Sequence, residues 1–414
     1  MVQQLVHLPP NLQLRSLKIM YLGLQLQPGS GFQGVLQPRV PLTRLQLYGC
    51  MLLDGAEGLS AALALLPGLQ YLSICATCWG WDKLVLLTDA LTALQQLTYL
   101  ELADATLQGP DEVTPALQPL QSLTRLIDLR LAPGRDADIN SSMLSAMQHL
   151  TRFGLIDGRL EPVALTTPGG THLQHLELAH ISTPGGAGGT AQLLSQLQRL
   201  QQLTHLELSS ASTLTVSPEG NPPAAAFSAL TASSKLQCLN IRHCTLPAAV
   251  WHYMFPAGRQ LPQLRSLDIA CDTQPDGTEA AAPEGTRLVS CCPALQALSM
   301  QGLQYSAELL TPLQRLSGLH TLTLARHDGE SEGEILGVAG RLTGLRELEL
   351  FARCPAEVLL QQLTQLKQLT KLVCKGDLNM KPFSVHLQEV SSVIDQLIGD
   401  CTTAKLSLCS ESDL

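Results

Sequence analysis

Residues 200–208 read Leu-Gln-Gln-Leu-Thr-His-Leu-Glu-Leu, and the last six of them carry the pattern LxxLxL. The pattern recurs fourteen times in the 414 residues, with another apolar residue in place of some of its leucines. Successive copies lie about 27 residues apart, a period that is typical of solenoid proteins. The fourteen copies begin at Leu14, Leu42, Leu69, Leu97, Leu126, Leu150, Leu173, Leu203, Leu236, Leu264, Leu295, Leu319, Leu345 and Leu369.

Each copy of the pattern predicts one short strand with one buried face. In Leu206-Glu207-Leu208 apolar and polar residues alternate, which is the two-residue period of a half-buried strand. The residues between copies have the i, i+3, i+4 spacing of an amphipathic helix, most clearly over 192–200 and 358–369. We therefore expect parallel strands joined by helical crossovers.

These elements predict an α/β solenoid with a parallel β-sheet on the concave face and helices on the convex face. Because helices are wider than the about 4.8 Å between strands, the stack should curve into a horseshoe. A repeat protein also avoids the size limit of a single globular core, since each repeat packs only against its neighbours. We expect about fourteen repeats over 1–384 and a C-terminal cap over 385–414, formed by a helix and a strand at 405–408.

The repeated motif resembles that of leucine-rich-repeat proteins of the ribonuclease-inhibitor-like class, over about residues 8 to 385. Residues 200–208 and 363–372 look like the leucine-rich-repeat proteins of green algae. The family motif continues as LxxLxLxxN, in which Asn or Cys bonds to the backbone of the turn. Cys50 and Cys244 fit that position, but no copy has Asn. The turns are therefore expected to be less uniform than in the family.

Composition argues against several classes of function. A net charge of -9 without a run of Lys or Arg argues against nucleic acid as a partner. The longest apolar stretches are far shorter than the roughly 20 residues that cross a bilayer, so no membrane segment is predicted. The first ten residues lack the features of a signal peptide, and the twelve cysteines are scattered, which favours reduced thiols in the cytoplasm.

The exposed positions of the predicted strands should form columns along the concave face. Tyr71 and Tyr99 fall in one column on adjacent strands, and Tyr48 falls in the neighbouring column. Tyrosine is common at interfaces because it offers apolar area, a hydroxyl and few rotatable bonds. We expect a partner-binding patch here, with incidental cross-strand stacking as the alternative. Its predicted residues are Tyr48, Tyr71, Tyr99, Lys18, Arg44 and Glu101.

A second group repeats the sequence His-Leu-Glu-Leu on adjacent strands. His175, Glu177, His205 and Glu207 offer two imidazoles and two carboxylates, which are possible zinc ligands. Duplication of the repeat would place the same four side chains in a ladder on the surface, without a metal ion. The surface ladder is the favoured interpretation, and the metal site is the alternative. No cofactor is predicted, and since no catalytic motif is present, an enzyme is not expected.

The sequence predicts a protein-interaction scaffold that holds a macromolecular partner of unknown identity on its concave face. The inner wall combines a basic N-terminal end with a mildly acidic centre, and the acidic centre suits a basic segment. One alternative is a substrate-recognition subunit related to F-box adaptors of ubiquitin ligases, although no F-box precedes the first repeat. Another is a structural component of the ciliary axoneme, which would place the chain in the cytoskeleton.

Overall fold

The computed structural model divides the chain into two compact units, Met1–Thr213 and Leu214–Leu414, which we call unit 1 and unit 2. Each unit has its own run of parallel strands. The structure describes residues 14–20, 41–50, 56–76, 87, 90–104, 117–132, 138–184, 187–210, 224–246, 249–272, 280–325, 332–351, 365–375 and 405–409.

Unit 1 contains eight strands that pair in chain order, each parallel to the next. Two further strands form a small parallel pair, β6 (Asp138–Ile139) with β8 (Arg159–Leu160). The eight main strands are β1 (Ser16–Met20), β2 (Arg44–Cys50), β3 (Tyr71–Ala76), β4 (Tyr99–Asp104), β5 (Asp128–Ala132), β7 (Arg152–Ile156), β9 (His175–Ala179) and β10 (His205–Ser209).

Helical segments connect the strands of unit 1. The α-helices are α1 (Ala56–Ala64), α2 (Ser141–Ser145) and α3 (Ala187–Leu197). Other connections are 3-10 helices, at Gln118–Ser122, Pro162–Thr166 and Gly170–His172. The helix predicted over 192–200 is thus confirmed over 192–197, where it is part of α3. Two of the 3-10 helices, Gln118–Ser122 and Pro162–Thr166, have proline at the first or second position.

Unit 2 repeats the same plan with parallel main strands. They are β11 (Cys238–Cys244), β12 (Ser266–Cys271), β14 (Ala297–Gln301), β16 (Thr321–Ala325), β17 (Glu347–Phe351), β18 (Lys371–Lys375) and β19 (Lys405–Cys409), while β13 (Ala280–Ala281) pairs with β15 (Leu303–Gln304). Its helices are α4 (Val250–Met254), α5 (Gly285–Cys291), α6 (Ala307–Leu310) and α7 (Glu332–Gly340), with 3-10 helices at Ala224–Thr231 and Thr311–Arg315.

The strand expected at 405–408 is therefore present, as β19, and it pairs with β18. Its role as a cap stays a prediction, because the accompanying helix lies outside the described residues. The part of the predicted helix at 358–364 lies outside them as well. Within the described segments, no helix has the length and apolar character needed to cross a membrane.

The core of each repeat is built by the motif leucines. We number motif positions from the first leucine, so that the strand covers positions 3 to 7. In β10, Leu206 and Leu208 at positions 4 and 6 are buried, whereas the residues at positions 3, 5 and 7 are partly exposed. The predicted alternation is thus confirmed, and positions 3, 5 and 7 define what we call the open face of the sheet. The leucines Leu193, Leu194 and Leu197 of α3 are also buried.

A backbone ladder joins successive repeats just before each strand. The carbonyl of Gln174, at position 2, accepts hydrogen bonds from the backbone N–H groups of Thr204 and His205 in the next repeat, at 2.8 and 2.9 Å. The Thr204 hydroxyl donates to the same oxygen at 2.9 Å. Threonine at position 2 makes the equivalent bond in five repeats of the described segments, at Thr43, Thr98, Thr151, Thr204 and Thr370.

The turn after the strand takes one conformation in some repeats and not in others, as expected from a motif that lacks Asn. Position 8 has positive φ, between 45° and 65°, in six described repeats. His180 illustrates the consequence, because its N–H donates to the carbonyl of Ser209 in the next repeat at 2.8 Å. These turns share one conformation without the family's Asn, whereas β12 runs through position 8 and Cys271 has no positive φ there. The six residues are Gly49, Asp157, His180, Ser210, His243 and Gly302.

Candidate interaction surface on the open sheet face

Strand register places Tyr71 of β3 beside Tyr99 of β4 on the open face. Their rings stack with centroids 3.9 Å apart and planes inclined by 4°. Tyr48 pairs in register with Cys75, one column away, and Met20 pairs with Tyr48. The predicted arrangement of the tyrosines in two neighbouring columns is therefore confirmed.

Two cations extend this aromatic cluster. The guanidinium carbon of Arg44 lies 3.9 Å from the centroid of the Tyr71 ring, and Nζ of Lys18 lies 5.2 Å from that of Tyr48. Both distances are typical of cation–π contacts. Since Arg44 and Tyr99 are the register partners of Tyr71 on opposite sides, the Tyr71 ring is enclosed between a guanidinium and a second ring.

Hydrogen bonds fix the tyrosine hydroxyls. The Gln46 side chain donates from Nε2 to Oη of Tyr48 at 3.0 Å and to Oη of Tyr71 at 3.4 Å. Ser73 and Tyr99 both donate to Oε2 of Glu101, at 2.6 and 3.1 Å. The cluster is thus a connected polar network beneath and between the rings.

Sequence reasoning missed Gln46 and Ser73. Both are buried although they stand at position 5, which alternation assigns to the open face. The neighbouring tyrosines and Glu101 cover both side chains. Position 5 is therefore buried here, because the side chains around it are large. The available signal was a polar residue two positions from a tyrosine on the same strand face, Gln46 beside Tyr48 and Ser73 beside Tyr71. We call the ten residues Lys18, Met20, Arg44, Gln46, Tyr48, Tyr71, Ser73, Cys75, Tyr99 and Glu101 the tyrosine patch.

The network changes the acidity of two groups in the patch. Burial, then the hydrogen bond with Tyr71 and the charge of Glu101, raise the pKa of Tyr99. Burial, and after it Glu101, raise the pKa of the Cys75 thiol to about 11. Both groups are therefore protonated at neutral pH, which suits hydrogen bonding and does not favour nucleophilic chemistry.

An ion cluster follows the patch along the sheet. Asp128 on β5 is buried. Its Oδ1 lies 3.5 Å from Nε of Arg130, and its Oδ2 lies 3.9 Å from Nη1 of Arg152 on the neighbouring strand β7. Burial raises the pKa of Asp128, against the opposing effect of the two arginines. These charges are compensated within the sheet.

The second predicted group forms a stack. The rings of His175 and His205 lie 4.1 Å apart, inclined by 11°. Burial, and then the charges of His205 and two arginines, lower the pKa of His175 to about 4. Glu177 and Glu207 pair in the same register, and burial followed by the charge of Glu207 raises the pKa of Glu177. Across the described segments, no three His, Cys, Asp or Glu side chains are arranged to hold a metal ion.

Comparison with known proteins gives structural similarity without sequence relatives. No protein-family model matches the sequence, and no curated protein matches it either. Among solved structures, a leucine-rich-repeat protein of Leptospira interrogans is 16% identical over 98% of this chain and 97% of its own, with a TM-score of 0.42.

Chains in two solved complexes are also similar to this chain. The Toll–Spatzle complex of Drosophila is 15% identical over 94% of this chain and 50% of that chain, with a TM-score of 0.47. TLR13 in complex with ssRNA13 is 18% identical over 82% of this chain and 51% of that chain, with a TM-score of 0.43. The chain thus spans about half the length of either of those chains. Its own repeated motif, and the parallel strands that the motif forms in register, make it an α/β leucine-rich-repeat solenoid.

Proposed function

We propose that this protein is a non-enzymatic interaction scaffold that binds a partner protein on the open face of unit 1, at the tyrosine patch. The observation that supports this most directly is the ordered stack of Arg44, Tyr71 and Tyr99. Tyr and Arg are the side chains that most often carry binding energy at protein interfaces. A patch built from both, on adjacent strands of a sheet, is suited to this role.

Order in the free protein favours tight binding. A flexible side chain costs about 0.5–1.5 kcal/mol when a partner immobilises it. Stacking and hydrogen bonds already restrict Tyr48, Tyr71 and Tyr99 in the free protein. Binding therefore immobilises these side chains little further, and the patch is preorganised.

Narrower descriptions belong to the same proposal. The protein would be of the ribonuclease-inhibitor-like class, act in the cytoplasm and use no cofactor. A substrate-recognition role beside an F-box subunit and a structural role in the ciliary axoneme would both employ the same interface. They differ in the assembly around the chain.

Affinity purification followed by quantitative mass spectrometry tests the proposal. Wild-type protein and the double variant Tyr71→Ala/Tyr99→Ala are used as baits in the same cell extract. We expect the variant to lose about 90% or more of the specific partner, since removal of such anchors commonly costs over 2 kcal/mol. Tyr253→Ala is the matched control, because Tyr253 is exposed on α4 of unit 2. Equal recovery by both tyrosine variants, with circular dichroism spectra unchanged, contradicts the proposal.

A further inference from the structure

The cations of the tyrosine patch indicate what kind of segment the patch binds. Resting on the function proposed above, we propose that the part of the patch on β1 to β3 binds an acidic segment of the partner protein. Carboxylates of that segment pair with Lys18 and Arg44, while an apolar side chain contacts Met20 and Tyr48. The proposal thus gives the charge of the bound segment and the strands on which it lies.

The first argument is that these two positive charges are uncompensated. Lys18 and Arg44 are both exposed, and neither forms an ion pair with a carboxylate in the described part of the chain. The nearest carboxylate within the patch is Glu101, which already accepts hydrogen bonds from Ser73 and Tyr99. It also pairs in register with Arg130. On the open face Arg130 and Arg152 thus offset Glu101 and Asp128, whereas no described carboxylate offsets Lys18 and Arg44.

The second argument concerns the orientation of Arg44. Its guanidinium lies on the Tyr71 ring at 3.9 Å, so the tyrosine covers one face of the group. The N–H groups of a guanidinium lie in its plane, and stacking leaves that edge available to a carboxylate. Arg44 can therefore bind a carboxylate through two parallel hydrogen bonds without losing its contact with the ring.

The third argument is the apolar surface beside the cations. Met20 is 49% exposed at position 7 of β1, and its register partner is Tyr48. A methionine on a sheet face adapts to apolar partners of different shapes. An acidic segment that also carries an apolar side chain thus matches both features of this surface.

The same geometry disfavours single-stranded RNA. Nucleic acid binding to aromatic platforms requires a free ring face for each stacked base. Both faces of Tyr71 are covered, by Arg44 and by Tyr99, and Lys18 lies over the ring of Tyr48. The net charge of -9 also opposes a phosphate backbone.

Fluorescence polarisation with defined probes tests the proposal on the full chain. Three labelled peptides of about ten residues, long enough to cross several strands about 4.8 Å apart, share one leucine and one phenylalanine. Their remaining residues are mainly Glu, mainly Lys or mainly Ser, and a uridine oligonucleotide of similar length is the fourth probe. We expect the Glu peptide to bind at least tenfold more tightly than the Lys and Ser peptides and the oligonucleotide, and its binding to weaken with added salt because exposed charges are screened.

Charge reversal locates the binding. In Lys18→Glu/Arg44→Glu, the affinity for the Glu peptide should fall at least tenfold and that for the Lys peptide should rise. Arg44→Lys should retain part of the binding, since a lysine keeps the charge and loses the planar fork. Arg341→Glu/Arg346→Glu makes the same change of charge at two exposed positions between α7 and β17 and should behave as wild type.

Four results would overturn the inference. They are preferred binding of the Lys peptide or the oligonucleotide by wild type, equal binding of all probes, Glu-peptide binding that charge reversal leaves unchanged, and failure of every peptide to bind. The proposed scaffold function is tested separately, by the loss of the native partner in Tyr71→Ala/Tyr99→Ala. None of the peptide results bears on that experiment.

Discussion

At the residue scale, Tyr71 is the centre of the patch. An aromatic pair contributes about 0.5–1.5 kcal/mol beyond the area that it buries. A cation over an aromatic ring adds about 0.5–1 kcal/mol at an exposed site. Since Tyr71 takes part in both contacts, its side chain orders its neighbours as well as itself. Loss of Tyr71 should therefore affect the positions of Arg44 and Tyr99.

His175 predicts a dependence of stability on pH. In the folded chain, burial lowers its pKa from an ordinary 6.5 to about 4, so it stays neutral where an unfolded histidine takes up a proton. Between these values the unfolded state binds more protons at this residue, so the contribution of His175 to the free energy of unfolding falls as pH falls from about 6.5 to about 4. His175→Tyr keeps a ring to stack on His205 and removes this titration, so its stability should fall less over that window.

Urea unfolding of wild type and His175→Tyr at several pH values measures this difference. The same substitution at the exposed His149 controls for the change of side chain. A decline with pH that is equally steep in wild type and His175→Tyr would show that His175 does not contribute.

At the element scale, the repeat is held by backbone bonds at both ends of the strand. Before the strand, the carbonyl at position 2 accepts two N–H groups and, in five described repeats, a threonine hydroxyl. After the strand, position 8 turns the chain with positive φ in six described repeats. These two features explain how those repeats form the same turn although the motif lacks Asn.

Gly302 tests the importance of that turn. It follows β14 with a φ of +61°, and a Cβ atom there would lie 2.0 Å from the carbonyl oxygen of Cys271. Gly302→Ala should therefore lower the free energy of unfolding by about 2 kcal/mol or more, because backbone must move in addition to the unfavourable φ. Gly68 has open space around its Cβ position, so Gly68→Ala should change stability by about 0.5 kcal/mol or less. Similar losses in the two variants, measured by urea unfolding, would refute this explanation.

The sequence predicted the strands and the columns better than it predicted the turns. A period of two assigns Leu206 and Leu208 to the core and Tyr71 to the open face, because strand geometry alone determines this alternation. The turn conformation depends on φ, and Gly, Asp and His, which are the types most often found at positive φ, occupy five of the six positions. Residue type is therefore a partial signal, since Ser210 adopts the same conformation.

The candidate site shows the same limit. Register brought Tyr71 beside Tyr99 as expected, yet the burial of Ser73 depends on three-dimensional cover by larger neighbours. The His175 and His205 pair was predicted as adjacent, and the ring stacking with its lowered pKa could not be read from spacing. The spacing of residues in the sequence predicts which side chains lie close together, whereas the orientation of those side chains depends on how they pack.

At the scale of the whole molecule, the repeats separate structure from specificity. Leucines at positions 1, 4 and 6 recur along the chain and are buried. Positions 3, 5 and 7 vary, and in unit 1 they change from cations and tyrosines at β1 to β3, through the ion cluster at β5 and β7, to histidine and glutamate at β9 and β10. A partner can therefore find a distinct surface at one set of strands on a uniform framework.

Hydroxyl-radical footprinting of the chain, free and with its purified partner, tests the central claim that the tyrosine patch is the interface. Met20 is 49% exposed and Tyr253 is 43% exposed, so both residues should be oxidised in the free chain. Partner binding should protect Met20 and Tyr48 and leave Tyr253 unchanged. Protection of Tyr253, with Met20 and Tyr48 oxidised as in the free chain, would contradict the claim.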